Sequence, residues 1–182
     1  MGEDKGLLEI QGRPLVQHIL DQVKGFGDET IIISNQSDSY RQFGYPVFQD
    51  VFPGKGSLGG LYSAIFHSKE PYSLVLACDM PFLSKPFLEY LVKLAPNYAA
   101  VVPRDRLNGF VEPFRAIYAK SCLPSFLADL TSNRLRISDG LKGLNVRYMD
   151  SPEIEKLAEP ARLFFNVNEK TDLEKARILL KM

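Results

Sequence analysis

The chain has 182 residues, enough for one domain with a sizeable core, and 45% of them are hydrophobic against 24% charged, the balance of a soluble globular protein. Its 22 basic and 22 acidic side chains cancel, and no basic block or aromatic–basic ladder points to nucleic acid. No apolar run reaches the roughly 18 residues of a membrane span, the start Met-Gly-Glu-Asp-Lys is charged and lacks a leader's apolar stretch, and Cys78 and Cys122 have no metal-type spacing, so a reduced cytoplasmic protein is expected.

In chain order, Pro14 suits a first helical position, and Val16, Ile19, Leu20 and Val23 mark one face of a helix that Gly25 and Gly27 end. Residues 30–34, Thr-Ile-Ile-Ile-Ser, read as a central strand, followed by a polar loop over 35–39. Ser57 is placed to cap a helix whose apolar face is Leu58, Leu61, Tyr62 and Ile65. A strand over 74–78 follows, then a helix capped by Ser84 with Leu88, Leu91, Val92 and Ala95 inward. Strands are expected over 99–102, within 111–118, over 146–149 and over 164–167. A helix over 121–131 accepts Pro124 only in its first turn, and Thr171-Asp172-Leu173-Glu174 reads as a capping box. This alternation predicts an α/β fold with a mostly parallel sheet covered on both faces, in a single domain spanning 1–182.

The densest chemical signal is Cys78-Asp79-Met80-Pro81-Phe82. Asp79 falls at the carboxyl end of an expected buried strand, the end that faces the ligand crevice in open α/β sheets. Pro81 forces the chain out of the sheet there. A carboxylate so placed suits a hard cation such as Mg²⁺, which shares oxygen ligands with phosphates; capping the next turn is the alternative.

The cluster Gly54-Lys55-Gly56-Ser57-Leu58-Gly59-Gly60 opens a helix and can bring backbone amides near a phosphate. It also satisfies G-x-G-x-x-G, which makes a dinucleotide site a competitor. Against that, Asp50-Val51-Phe52-Pro53 separates it from any strand. Lys5, beside Gly6, can set a point charge on phosphates. Asn166 and Asn168 fall on one side of an extended segment, suited to a ribose, a base or a phosphate–metal assembly, or else to turn and cap chemistry. His18 and His67 fit surface or packing roles rather than a catalytic pair, and no hydrolytic triad or zinc motif is present.

Taken together, five segments in order resemble the molybdenum cofactor guanylyltransferases, within the nucleotidyltransferase superfamily. They are Met1–Leu8 with Gly12-Arg13-Pro14-Leu15; Gln49-Asp50 with Gly56–Leu61; Cys78–Phe82; Gly109–Phe114 running to Tyr118; and Phe165–Asn168 with Asp172-Leu173. The resemblance implies a Rossmann-like three-layer sandwich with a mostly parallel mixed sheet. It implies transfer of GMP from GTP to molybdenum-carrying molybdopterin, with release of pyrophosphate and dependence on Mg²⁺. Asp79 and Lys5 would be catalytic. Lys5, Asn35, Asp50, Gly56, Gly59 and Asp79 would contact the nucleotide, and Asp79 the metal. Glu112, Asn166 and Asn168 would lie on the acceptor side. A molybdopterin-delivering or -receiving protein is an expected partner.

Two departures stand out. The family carries a strand and a glycine-rich loop, "LAGGxSxR", directly before the Met-Gly, whereas the sequence here starts at Met1; the sheet's centre is expected to be open and most triphosphate contacts missing. Ser57 and Gly59 stand where the family has proline and alanine, and glycine there weakens a helix. A nucleotidyltransferase with another base or acceptor, a nicotinamide-dependent oxidoreductase and a non-catalytic nucleotide-binding module are the competing readings.

Overall fold

The computed structural model describes residues 4–104 and 110–180. Met1, Gly2, Glu3 and Gly109 of the family-like segments lie outside the described residues. A 3-10 turn, Lys5–Leu7, leads into a small antiparallel pair, β1 (Glu9–Ile10) and β2 (Arg13–Pro14). Then come α1 (Leu15–Val23), β3 (Ile32–Ile33), α2 (Ser37–Tyr40), β4 (Val47–Phe48), α3 (Gly56–His67) and β5 (Tyr72–Leu76). The second half contains α4 (Lys85–Leu94), β6 (Ala100–Arg104), β7 (Arg115–Ala119), α5 (Leu123–Thr131), α6 (Ile137–Gly140), β8 (Val146–Asp150), α7 (Ser151–Ile154), α8 (Pro160–Leu163) and α9 (Lys170–Leu179).

Four strands form the main sheet in the order β5-β7-β6-β8. Strands β5, β6 and β8 run one way and β7 runs against them, so the sheet is mixed with three of four strands parallel. One face is covered by α3, α5 and α6 through Leu58, Leu61, Ile65, Phe126 and Leu130. The other is covered by α4, α7 and α8 through Phe87, Leu88, Leu91, Ile154 and Leu163. Alternation along β7 divides these cores: Ala116 and Tyr118 face the first, Ile117 the second. This is the expected three-layer α/β sandwich.

Several local expectations shift. Pro14 is the residue before α1 and pairs in β2 rather than opening the helix. Ser57 makes no cap bond, because α3 begins at Gly56 with Lys55 as its N-cap. Val92 is half exposed while Phe87 is fully buried, so the inward stripe of α4 lies one residue round from the one expected. The capping box of α9 pairs Glu169 with Asp172, two residues before the expected start. Residues 164–167 form no strand; residues 37–39 of the loop expected over 35–39 fall in the helical turn Ser37–Tyr40. Ser84 does cap α4, accepting the Phe87 N–H, and Pro124 does sit in the first turn of α5.

The expected central strand over 30–34 is shortened to β3, and among the described residues it pairs with β4 alone, in parallel. Glu29, before β3, takes the Lys69 N–H and Nζ just before β5, so the two strands start side by side. Yet among the described residues nothing pairs with the edges they turn toward each other. Ala77 N–H bonds the Phe114 carbonyl and Lys120 N–H bonds that of Pro71, so Tyr72, Leu74 and Leu76 turn their backbone groups away from β7. Ile32 and Ser34 likewise donate to Pro46 and Phe48, which turns Ile31 and Ile33 the other way. Helix α3 touches both strands, and Val16, Ile19 and Leu20 of α1 line the gap. The result is a cleft of about 1300 Å³ between β3 and β5.

Candidate active site

The cleft runs the length of β3 and β5, from Glu29 and Pro71 before their amino ends to Asn35, Cys78 and Asp79 beyond their carboxyl ends, the side where an α/β sheet presents its ligand crevice. Strand β5 ends at Leu76, and the chain turns through Cys78 and Asp79 before Pro81 leads it away. Asp79 is therefore three residues past the strand, not at its last residue. Its carboxylate lines the cleft and is about one-fifth exposed.

Lys5 Nζ stands 3.5 Å from Asp79 Oδ2 and donates to Asn168 Oδ1 at 2.9 Å. The Val167 N–H donates to the Asp79 carbonyl, which fixes segment 165–168 against the turn. Lys5 itself is set by Asp4, whose Oδ1 accepts from Gly6 N–H at 3.0 Å and from the Tyr40 hydroxyl at 2.7 Å. Gly6 has no room for a side chain, because a Cβ there would lie 2.3 Å from the Tyr40 oxygen.

On the opposite lip, Asn35 and Asp50 hold each other reciprocally. Asn35 Nδ2 donates to Asp50 Oδ2 at 2.8 Å, and Asp50 N–H donates to Asn35 Oδ1 at 3.1 Å. Each follows the end of a paired strand, β3 and β4 respectively, so parallel pairing brings them together. Both line the cleft, as does Glu112. Glu112 is 4% exposed and accepts the Phe114 N–H at 3.0 Å. Burial pushes its carboxyl up, while that N–H and the Arg115 charge pull it down. Cys78 also lines the cleft, and burial, then the Asp79 and Asp4 charges, raise its thiol to about 12.

Of the residues expected at the site, Lys5 reaches both Asp79 and Asn168, and Asn35, Asp50, Glu112 and Asn166 share the cleft wall with Asp79. The glycines divide differently. Ser57 and Gly60 line the cleft, whereas Gly56 takes a φ of +57° at the start of α3 and Gly59 is buried against the Phe52 carbonyl. Asn166 and Asn168 are not side by side on a strand: Asn168 binds Lys5, and Asn166 Oδ1 is buried without a partner among the described residues. His18 bonds the Ile10 carbonyl and His67 stacks on Phe48, both in packing roles.

Sequence reasoning passed over Asp4, Tyr40 and Arg115. Asp4 and Tyr40 carry no signal, since only the fold brings them together. Arg115 does: an arginine within an otherwise apolar strand is itself an anomaly.

A metal is testable on the donor set. Among the described residues no cluster of three or more His, Cys, Asp or Glu side chains forms a protein cage. Asp79 nevertheless keeps lone pairs that no described hydrogen bond uses. A site with one carboxylate, waters and substrate phosphates suits Mg²⁺, so the residues fit that ion.

A MobA-like NTP transferase domain matches residues 1–141. The chain belongs to this nucleotidyltransferase family. A Clostridium perfringens protein named "Probable molybdenum cofactor guanylyltransferase" is 33% identical over 167 residues, which is 91% of this chain and 83% of the relative. A protein of Syntrophotalea carbinolica named molybdenum cofactor guanylyltransferase is 28% identical over 177 residues, 97% of this chain and 84% of the relative. The crystal structure of the molybdopterin-guanine dinucleotide biosynthesis protein A from Archaeoglobus fulgidus superposes with a TM-score of 0.84 at 26% identity, over 100% of this chain and 93% of that one. A Thermus thermophilus cytidylyltransferase, at 16% identity and TM-score 0.73, shares the fold, covering 98% and 94% of the two chains. Family membership removes the nicotinamide-dependent oxidoreductase from contention. Among the described residues no helix is long and apolar enough to cross a membrane.

Proposed function

We propose that this family member transfers GMP from GTP to the terminal phosphate of molybdopterin carrying molybdenum. The carrying observation is Asp79: a carboxylate at the cleft wall whose ion-pair partner is the Lys5 ammonium, 3.5 Å away. The names of the relatives support the guanine nucleotide and the acceptor.

The reaction asks little covalent help of the protein. An oxygen of the acceptor phosphate, already anionic at neutral pH, attacks the α-phosphorus of GTP. The new P–O bond forms as the bond to the β-phosphate breaks, and pyrophosphate leaves with the electron pair. Alignment and charge neutralisation then carry the rate. In this reading Lys5 neutralises the triphosphate while Asn168 holds its ammonium in place. Asn35 and Asp50 meet the guanine nucleotide as a preset pair. Ser57 and Gly60, at the start of α3, let the nucleotide approach the helix backbone closely. Asp79 would hold Mg²⁺, which when bound neutralises charge growing on the α-phosphate and the pyrophosphate.

The test is transfer of label from α-labelled GTP to molybdopterin, with CTP and ATP in parallel. Labelled dinucleotide from GTP alone is expected. Equal or better transfer from CTP would replace the guanylyl assignment with another nucleotidyl transfer.

A further inference from the structure

The turn that carries Lys5 and the lip that carries Asn35 and Asp50 are separate stretches of chain, and a side-chain hydrogen bond crosses between them. Tyr40 closes α2, the helical turn that follows Asn35, and its hydroxyl donates to Asp4 Oδ1 at 2.7 Å. The same Oδ1 accepts the Gly6 N–H at 3.0 Å and so caps the 3-10 turn Lys5–Leu7. A single carboxylate oxygen therefore holds both the turn and the tyrosine.

Tyr40 is well fixed for this task. It is 4% exposed and belongs to the apolar cluster of Val16, Leu20 and Ile32, against which Leu7 of the same turn packs. The Phe43 ring lies beside it, with centroids 5.8 Å apart. Burial, then the bond to Asp4, hold the hydroxyl well above the ordinary tyrosine range, so it remains a donor at neutral pH. The fit at Gly6 is tight on two fronts. A Cβ there would clash with the Tyr40 oxygen and would lie 3.2 Å from Cys78 Cβ and 3.3 Å from its Sγ. The hydroxyl, the Lys5 turn and the residue before Asp79 thus meet at one point, and Asp4, Tyr40 and Cys78 all line the cleft.

We propose that Tyr40 is a positioning residue for phosphate binding: through Asp4, its hydroxyl fixes the Lys5 turn against the Asn35–Asp50 lip and so sets the ammonium beside Asp79. The inference rests on the nucleotidyl-transfer reading and adds how the two ends of the nucleotide site keep a set spacing. Tyr40 touches no reacting atom. A lysine is a point charge on a flexible stem, so its aim depends on where its backbone is held. Alignment of this kind acts on rate as well as on binding.

Calorimetric titration with inorganic pyrophosphate and Mg²⁺ tests this without base or acceptor. The chains compared are wild type, Tyr40→Phe, Asp4→Ala, Asp4→Asn, Lys5→Met and the double variant Tyr40→Phe with Lys5→Met. Tyr40→Phe keeps the ring and loses only the hydroxyl, and it should bind pyrophosphate about fivefold more weakly. Asp4→Ala reads the same link from its other side and should weaken binding at least as much. Asp4→Asn keeps an oxygen that can accept both bonds and should recover most of that loss. Lys5→Met should lose about tenfold or more. Adding Tyr40→Phe to it should cost nothing further, because no ammonium is left to aim.

A tyrosine that merely packs would lower the unfolding midpoint and leave pyrophosphate affinity as in wild type, or weaken it equally in both backgrounds. Either result overturns the proposal, as does a wild type that binds no pyrophosphate. In turnover, Tyr40→Phe should lower kcat and leave the acceptor's KM unchanged; an unchanged kcat with a raised acceptor KM overturns it too. Nucleotide choice is read separately. Transfer from CTP in place of GTP, with the Tyr40 effects intact, would overturn the guanylyl reading and leave this inference standing.

Discussion

Lys5 Nζ bridges Asp79 Oδ2 at 3.5 Å and Asn168 Oδ1 at 2.9 Å, joining the start of the chain, the exit of β5 and the approach to α9 at one ammonium. The pair is partly exposed, with 39% and 22% of the two side chains accessible, so it contributes little to stability. Asp79→Ala is therefore expected to fold normally and to lose turnover by about a hundredfold or more. Circular dichroism with the label-transfer rate checks both halves, and wild-type-like turnover would remove Asp79 from the chemistry.

The Asn35–Asp50 pair gives a different kind of mutant. Neither side chain is asked to react, so truncation should act on binding. Asn35→Ala leaves Asp50 with neither hydrogen bond; the pair is exposed, so the expected loss is about 0.5–1.5 kcal/mol, or roughly two- to tenfold in affinity for GTP. Titration calorimetry should show that weakening in both single variants and less than additive weakening in the double variant.

How much of this was readable beforehand depends on what each inference required. Local patterns sufficed for the buried stripes of α1 and α3, the Ser84 cap and the Pro81 exit, because each rests on neighbours in sequence. Asp79 was readable because a strand end and a proline bracket it. The gap between β3 and β5 has no local signal: residues 30–34 read as central by composition, yet among the described residues the strand pairs on one side alone. Phe165–Asn168 alternates like a strand but finds no ladder, being held instead by the Asp79 carbonyl and the Lys5 ammonium. Asp4 with Tyr40, and Lys5 with Asn168, are juxtapositions made by tertiary structure, and no spacing encodes them.

Cys122 is fully buried, with its Sγ donating to the Ala99 carbonyl. Burial raises its thiol from 9.0 to about 11, partly offset by a backbone hydrogen bond. A raised folded-state value means that the protonated thiol stabilises the fold. That contribution is complete below pH 9 and lost as pH climbs through about 11. Stability of wild type relative to Cys122→Ala, measured by urea unfolding, should decline across that interval and stay flat below it.

The open edges of β3 and β5 predict uneven protection. Amides of Ser73 and Val75, which face β7, should exchange slowly, and those of Leu74, Leu76 and Ile33 much faster, although all lie in the same two strands. Residue-resolved hydrogen exchange reads the alternation directly. Uniform protection along β5 would mean that its outer edge is paired in solution.

The most direct test of the account is calorimetric titration of the chain with GTP, CTP, ATP and NAD, each with and without Mg²⁺. The account predicts that GTP binds selectively, that Mg²⁺ strengthens it, and that Asp79→Ala abolishes the Mg²⁺ effect. Binding that ignores both base and metal, or a Mg²⁺ effect unchanged in Asp79→Ala, would contradict it.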